Sequence, residues 1–381
     1  MERFVLDDGW FMVGATTAPG WGTGTSTRRS GRTAAPAGDR VRELGMEFGL
    51  WFEPEMANPD SDLVREHPDW LLAAPDRRPR LARNQWVVDV ANPQAYEYLL
   101  ERIGTLVGEL GIGYLKWDHN RDLLEAVHEG SAGVHAQTAA VYQLLDELRR
   151  RHPGLEIESC SSGGGRVDLG ILERTDRVWA SDTNDPVERQ AIQRWTSSLI
   201  PPELVGSHVG PPSAHTTGRV SDLSFRCATA LFGHAGIEWD ITSCTLDERA
   251  QLASWAGLYR ELRPLLHSGD TVRADQVEEG LWLHGVVSPD RSEAVYAYLR
   301  LETSPSSAGG RIRLPGLDSR SNYRITRRDE IGVAGTSQRT LSDWWKAGTA
   351  QGRGSVLEQI GLPAPVLNPG QAVVLHLRRT E

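Results

Sequence analysis

Short apolar runs separated by longer amphipathic stretches set the pattern of this chain from residue 1 to about 265. Runs at 4–8 (FVLDD), 48–52 (FGLWF), 113–117 (GYLKW), 155–159 (LEIES), 177–181 (RVWAS), 204–209 (LVGSHV) and 236–240 (GIEWD) have the length and residue types of buried strands. Between them, stretches such as YEYLLERIGTLVGELG and HAQTAAVYQLLDELRRRH carry apolar residues at helical spacing. Strand and helix alternating in this way predict a parallel sheet covered by helices. After about residue 270 the period changes. VEEGLWLHGVVS, EAVYAYLRLE, GRIRLPG, SNYRITRR and QAVVLHLRR alternate with turn residues and predict a small antiparallel β-domain, with QRTLSDWWKAGTAQGRGS as an insertion or loop. The domains expected are therefore 1–268 and 269–381.

Most of the early strands run into polar or acidic residues: Asp7 and Asp8, Glu53 and Glu55, Asp118, Cys160, Asp182, His208 and Asp240. In a (β/α)8 barrel the carboxyl ends of the strands converge on one mouth, so residues far apart in sequence face a single substrate. The fold expected is α/β, a (β/α)8 TIM-type barrel followed by the small antiparallel domain. Such a barrel closes with eight strands, seven are counted, and the chain starts on one of them. The reading is thus a barrel lacking its first strand and helix. Asp118 and Asp182 each follow a β-rich run, and a pair of carboxylates is what glycoside hydrolysis needs.

Composition narrows this further. A net charge of −10 argues against nucleic acid or an anionic membrane as partner. Cys160, Cys227 and Cys244 form neither metal-ligand spacing nor a disulfide framework, which suits a reducing cytoplasm. No apolar run is long enough to span a membrane, and residues 1–30 lack the apolar core of a signal peptide. Thirteen tryptophans suit both core filling and stacking on sugar rings. The SSGGGR run lacks the Gly-Lys-Ser/Thr ending of a phosphate loop. His119, His208 and His215 are irregularly spaced, so no metal and no cofactor are expected.

Together the motifs LDDGWF (6–11), FGLWFEPEM (48–56), ARNQWVVDVANP (82–93), YLKWDHNR (114–121), ESCSSGGGR (158–166), WASDTND (179–185) and GSHVGPP (206–212) resemble the melibiase-like α-galactosidases of glycoside hydrolase family 36, in the family's order. The resemblance implies Asp118 as nucleophile and Asp182 as general acid/base of a retaining enzyme, with carboxyl groups about 5–5.5 Å apart. It implies substrate contacts from Asp7, Asp8, Trp51, Arg83, Lys116, Cys160 and Gly163, and small α-galactosides such as melibiose or raffinose as substrates. An α-N-acetylgalactosaminidase, a galactosyl transferase of the same family and an inactive truncated remnant are the alternatives. The family also carries an N-terminal β-sandwich and a first barrel strand before LDDGWF, so the resemblance implies an N-terminally truncated chain. Homo-oligomers are possible for its full-length members.

Residues 12–38 fit neither the family nor a folded core. Reading the codons from Phe11 to Ala34 in the shifted frame allows HGRRDDRAGLGDWYVDEAVWPDG, which suits the family. The expectation is a compensated pair of frameshifts, with the frame restored by about Asp39. Resequencing the DNA checks this, and a shifted frame unable to encode LGDW ends it.

Overall fold

The computed structural model describes residues 1–8, 10, 26–274 and 278–380, with the backbone alone for 26–33. They fall into two compact units, 1–182 and 183–381.

In the first unit, β1 (Arg3–Leu6), β2 (Glu47–Phe52), β3 (Tyr114–Trp117), β4 (Glu156–Ser159) and β5 (Arg177–Val178) form one parallel sheet in chain order. Register is set by pairs such as Leu50 with Leu115 and Lys116 with Glu158. Phe48, Leu50 and Phe52 on β2 are all buried, and so are Gly49 and Trp51 between them. A strand covered on both faces reads as an unbroken apolar run rather than an alternating one.

The crossover helices are α1 (Ser26–Glu43), α2 (Pro93–Leu110) and α3 (Val134–Arg151). Helix α2 shows why the sequence places them. Pro93 sits at its first turn, and the Asn92 side chain accepts hydrogen bonds from the N–H groups of Gln94 and Ala95. Gly111 ends it in the left-handed conformation. Leu99, Leu100, Ile103, Leu106, Val107 and Leu110 form its buried stripe. Each such side chain contributes roughly 1.5–3 kcal/mol on burial.

Helix α1 corrects the reading of 12–38 in part. The chain is helical from Ser26, Ala34 is fully buried, and Ala35 and Ala37 pack against the core. The small residues of TAAPAG explain this, because they let the helix lie close to β2. A Cβ on Gly38 would meet the Phe48 ring at 3.1 Å. Residues 12–25 lie outside the described residues.

The second unit holds a parallel pair, β6 (Gly206–Val209) and β7 (His234–Ile237). Its helices are α4 (Pro186–Thr196), α5 (Leu223–Ala230) and α6 (Leu246–Leu266). A capping box between Thr245 and Glu248 opens α6. The seven expected parallel strands are present. They form ladders of five and two rather than one closed ring.

Beyond α6 lies a six-stranded antiparallel sheet. Its strands are β8 (Asp270–Ala274), β9 (Leu281–Val287), β10 (Glu293–Arg300), β11 (Asn322–Arg327), β12 (Thr349–Arg353) and β13 (Gln371–Thr380), in the order β8-β9-β10-β13-β11-β12. Two runs were read differently from sequence. GRIRLPG yields only a two-residue strand, Arg311–Ile312. The expected insertion is instead integral: Trp345 is buried in a short helix, and β12 pairs with β11 through Tyr323 and Gly352. Its Gly-rich, charged sequence hides an edge strand, where only one side needs pairing.

Candidate active site

Strand β3 presents Lys116 and Asp118 two residues apart, hence on one side of the chain. The Asp118 N–H donates to the Phe52 carbonyl at 2.8 Å, which extends the ladder one step past β3. The Asp118 carboxylate is buried and held at both oxygens. Its Oδ2 accepts from Trp51 Nε1 at 3.0 Å and Asn120 Nδ2 at 2.7 Å, and its Oδ1 from the His119 N–H at 2.8 Å. Trp51, expected to pack against a sugar, is itself buried and gives its indole N–H to Asp118.

Lys116 Nζ lies 2.8 Å from Asp7 Oδ2. Burial alone would lower its pKa, but the carboxylates of Asp7 and Glu158 outweigh that and hold the ammonium charged. Asp7 is half exposed, and its Oδ1 accepts the Asp8 N–H at 2.8 Å. Asp8 is exposed.

Asp182 follows β5 and is exposed, with Oδ1 accepting from Trp179 Nε1 at 3.0 Å. Cys160, at the end of β4, is buried with Sγ 4.0 Å from the same oxygen. Burial pushes its thiol well up and the Asp118 charge pushes it further, with Asp182 adding to that against the opposing pull of Lys116. The thiol thus stays neutral while sensing both carboxylates. Gly163 completes this side. Its φ is +83°, and a Cβ there would sit 2.6 Å from the Ser181 Cα and 3.1 Å from the Asp182 nitrogen. Only glycine lets that loop press against the backbone carrying Asp182.

Arg83 sits on an exposed loop at φ 52° and lines a cavity of about 730 Å³ with Asn120, Ser161, Ser162, Tyr142 and Arg166. Neither Asp118 nor Asp182 lines this cavity, so among the described residues Arg83 is not brought together with the two carboxylates.

Sequence reasoning missed the support beneath Asp118. Asn120 holds Asp118 Oδ2, and its own Oδ1 accepts from Ser162 Oγ at 3.2 Å. Glu55 is buried and accepts from Arg166 at 2.8 Å, Trp117 Nε1 at 2.9 Å and the His119 ring at 3.2 Å. Burial alone would raise its pKa, but Arg166 and then His119 hold it well below the usual carboxylate range. The only sequence signal for Asn120 was its place two residues after Asp118. Two of the three histidines weighed as ligands have other partners: His119 Nε2 lies 2.7 Å from the Arg121 carbonyl, and His208 pairs with Glu238. Among the described residues no group of three or more His, Cys, Asp or Glu is arranged to hold a metal ion.

A parallel α/β sheet with its acidic residues gathered at the carboxyl ends of the strands puts the chain in the class of (β/α)-barrel proteins with an acidic mouth. Residues 1–269 match the Melibiase family, and residues 282–377 match the glycosyl hydrolase family 36 C-terminal domain. The chain belongs to the melibiase family, within glycoside hydrolase family 36. An α-galactosidase of Escherichia coli is 41% identical over the whole of this chain and 54% of its own length. α-Galactosidase AgaA of Geobacillus stearothermophilus is 37% identical over 88% of this chain and 47% of its own. A crystal structure of an AgaA variant in complex with raffinose superposes with a TM-score of 0.88 at 32% identity, covering all of this chain and 51% of that one. The chain spans about half the length of the relatives it matches. Among the described residues no helix is long and apolar enough to cross a membrane.

Proposed function

We propose that this chain carries the catalytic site of a retaining α-galactosidase that releases terminal α-linked galactose from small oligosaccharides. The observation that carries the reading is the buried Asp118 carboxylate, fixed by three hydrogen bonds, with the Cys160 thiol raised in pKa by the charges of both Asp118 and Asp182. Asp118 attacks the anomeric carbon, and Asp182 protonates the leaving oxygen and then deprotonates the water that resolves the intermediate. Asp7, Asp8, Lys116 and Arg83 supply hydroxyl contacts, while Trp51, Cys160 and Gly163 shape the floor. Support comes from the relatives named α-galactosidases and from family 36 structures bound to raffinose and stachyose. In this reading residues 1–268 are the catalytic domain and 269–381 a C-terminal sandwich. The enzyme works in the cytoplasm on small sugars.

The alternative of an N-acetylgalactosaminide substrate is disfavoured by the small, closed loop at Cys160 and Gly163. An N-acetyl group needs room there, and the loop already touches the Ser181 backbone. The test is hydrolysis of p-nitrophenyl α-galactoside against its N-acetylgalactosaminide counterpart by the purified chain. The expected preference in kcat/KM is on the order of 10²-fold for the galactoside. Equal rates overturn the specificity. A folded sample that cleaves neither leaves the non-catalytic remnant as the better reading.

A further inference from the structure

Trp117 and His119 are the chain neighbours of Asp118, and both end on one carboxylate, that of Glu55. Trp117 lies within β3, one residue before Asp118, so its side chain leaves the strand on the opposite face. There its Nε1 donates to Glu55 Oε1 at 2.9 Å. His119 Nδ1 lies 3.2 Å from Glu55 Oε2, which puts His119 on the same far side. Glu55 is only 2% exposed and is itself fixed. Its carbonyl accepts the Val88 N–H at 2.8 Å, and its Oε1 lies 2.8 Å from Arg166 Nη2.

The peptide between Trp117 and Asp118 is the last of β3 in the ladder, its N–H donating to Phe52 and its carbonyl accepting from the Cys160 N–H at 2.7 Å. Beyond it the chain leaves the sheet, and Asp118 stands at the point of departure. Glu55 grips the chain there, one residue before Asp118 and one residue after. Arg166 extends the grip. It directly follows the turn 161–165, in which Gly163 packs against the backbone of Ser181 and Asp182. One buried carboxylate thus links the strand end bearing Asp118 to the turn that presses on Asp182. A carboxylate suits three donors because it accepts at about four lone-pair positions, whereas an amide accepts at about two and brings donors of its own.

We propose that Glu55 is a positioning residue for the reaction: by fastening Trp117 and His119 from behind the strand, it sets the direction in which Asp118 points toward the sugar. It acts only through these neighbours, since two ionised carboxylates offer each other no donor. The proposal rests on Asp118 being the nucleophile. Misplacing a reacting group by about 1 Å costs on the order of 10²-fold in rate, so loss of the grip should appear in kcat and leave KM little changed.

Two variants of His119 separate this role from general support of the fold. Asparagine places its amide nitrogen near the position of Nδ1 and still reaches Glu55, whereas glutamine places its own near Nε2 and reaches the Arg121 carbonyl instead. H119N should therefore keep a kcat about tenfold above that of H119Q, the factor one hydrogen bond carries. Equal rates, or the reverse order, overturn the proposal. E55Q should lose about tenfold or more in kcat at little change in KM, and an E55Q with the wild-type kcat overturns it too. The position of Asp118 is read separately from Trp51, whose Nε1 donates to Asp118 Oδ2 at 3.0 Å. Labelling the full chain with ¹⁵N-tryptophan gives NMR signals from thirteen indoles, and W51F identifies the one from Trp51. Well below melting, that signal should move toward the position of an unbonded indole in E55Q, and further in H119Q than in H119N. A signal that stays in place in both E55Q and H119Q overturns the proposal, and where E55Q fails to fold the His119 pair decides. This readout needs no turnover, so a wild-type chain that cleaves no galactoside defeats the proposed function while the Trp51 signal still decides the role of Glu55.

Discussion

Asp118→Ala should abolish release of nitrophenol from p-nitrophenyl α-galactoside, with kcat down on the order of 10⁴-fold or more, as for other enzymes that lose a covalent nucleophile. No neighbouring group can take over its task. Asp182 receives the Trp179 indole N–H, and Asp7 is paired to Lys116. Truncation also strips Trp51 Nε1 and Asn120 Nδ2 of their acceptor. A buried donor left without a partner costs about 1–3 kcal/mol, so the alanine variant should also melt earlier. Asp118→Asn separates the two effects. Its amide keeps the shape and one acceptor oxygen, so the fold survives while the nucleophile is lost. Hydrolysis absent from both variants, with the melting temperature largely kept in the asparagine one, assigns the chemistry to Asp118. Hydrolysis persisting in a well-folded asparagine variant would place the nucleophile elsewhere.

How much of this was legible in the sequence depended on the range of the interaction. Strands β1 to β7 lie within a few residues of the runs in the sequence because each run is short and apolar, most clearly in β2, where burial on both faces from Phe48 to Phe52 leaves little room for polar residues. Asp118, Asp182 and Cys160 stand out as candidates because strand ends in a parallel sheet point to one place, and Lys116 through the family resemblance. The edge strand β12 and the helix carrying Trp345 were not, since an edge strand is identified by its partner and not by its own composition. Helix α1 was hidden differently. Thr33, Ala34, Ala35, Pro36 and Ala37 make a weak helical pattern, and only the close approach to Phe48 explains why small residues suffice. The bond that Trp51 makes was hidden for a similar reason. Sequence gives an indole at a strand end, whereas the direction of its N–H toward Asp118 belongs to the tertiary structure. Glu53 and Glu55 mark the limit most sharply. They are the same residue type, two positions apart, yet burial and the Asp118 charge raise the pKa of Glu53 while Arg166 and His119, arriving from other loops, lower that of Glu55.

Asp182→Ala should separate the two halves of the reaction. General acid and base catalysis contributes roughly 10²–10⁴-fold, so cleavage of raffinose, whose leaving sugar needs a proton, should fall by that order. Nitrophenolate leaves without one. With p-nitrophenyl α-galactoside the first step should therefore stay comparatively fast, while water attacks the glycosyl-enzyme slowly for want of a base. A burst of nitrophenol followed by slow turnover is the expected trace. The side chain is exposed, and Gly163 packs on the Ser181 backbone behind it, so its loss opens space at the point where water must approach. Azide is small and needs no deprotonation, so it should enter that space and restore turnover. The stereochemistry of the product then decides the mechanism. An α-galactosyl azide requires two successive inversions, with Asp118 as the covalent partner of the first. A β-azide requires one, which would remove the covalent intermediate and leave Asp118 as a base rather than a nucleophile.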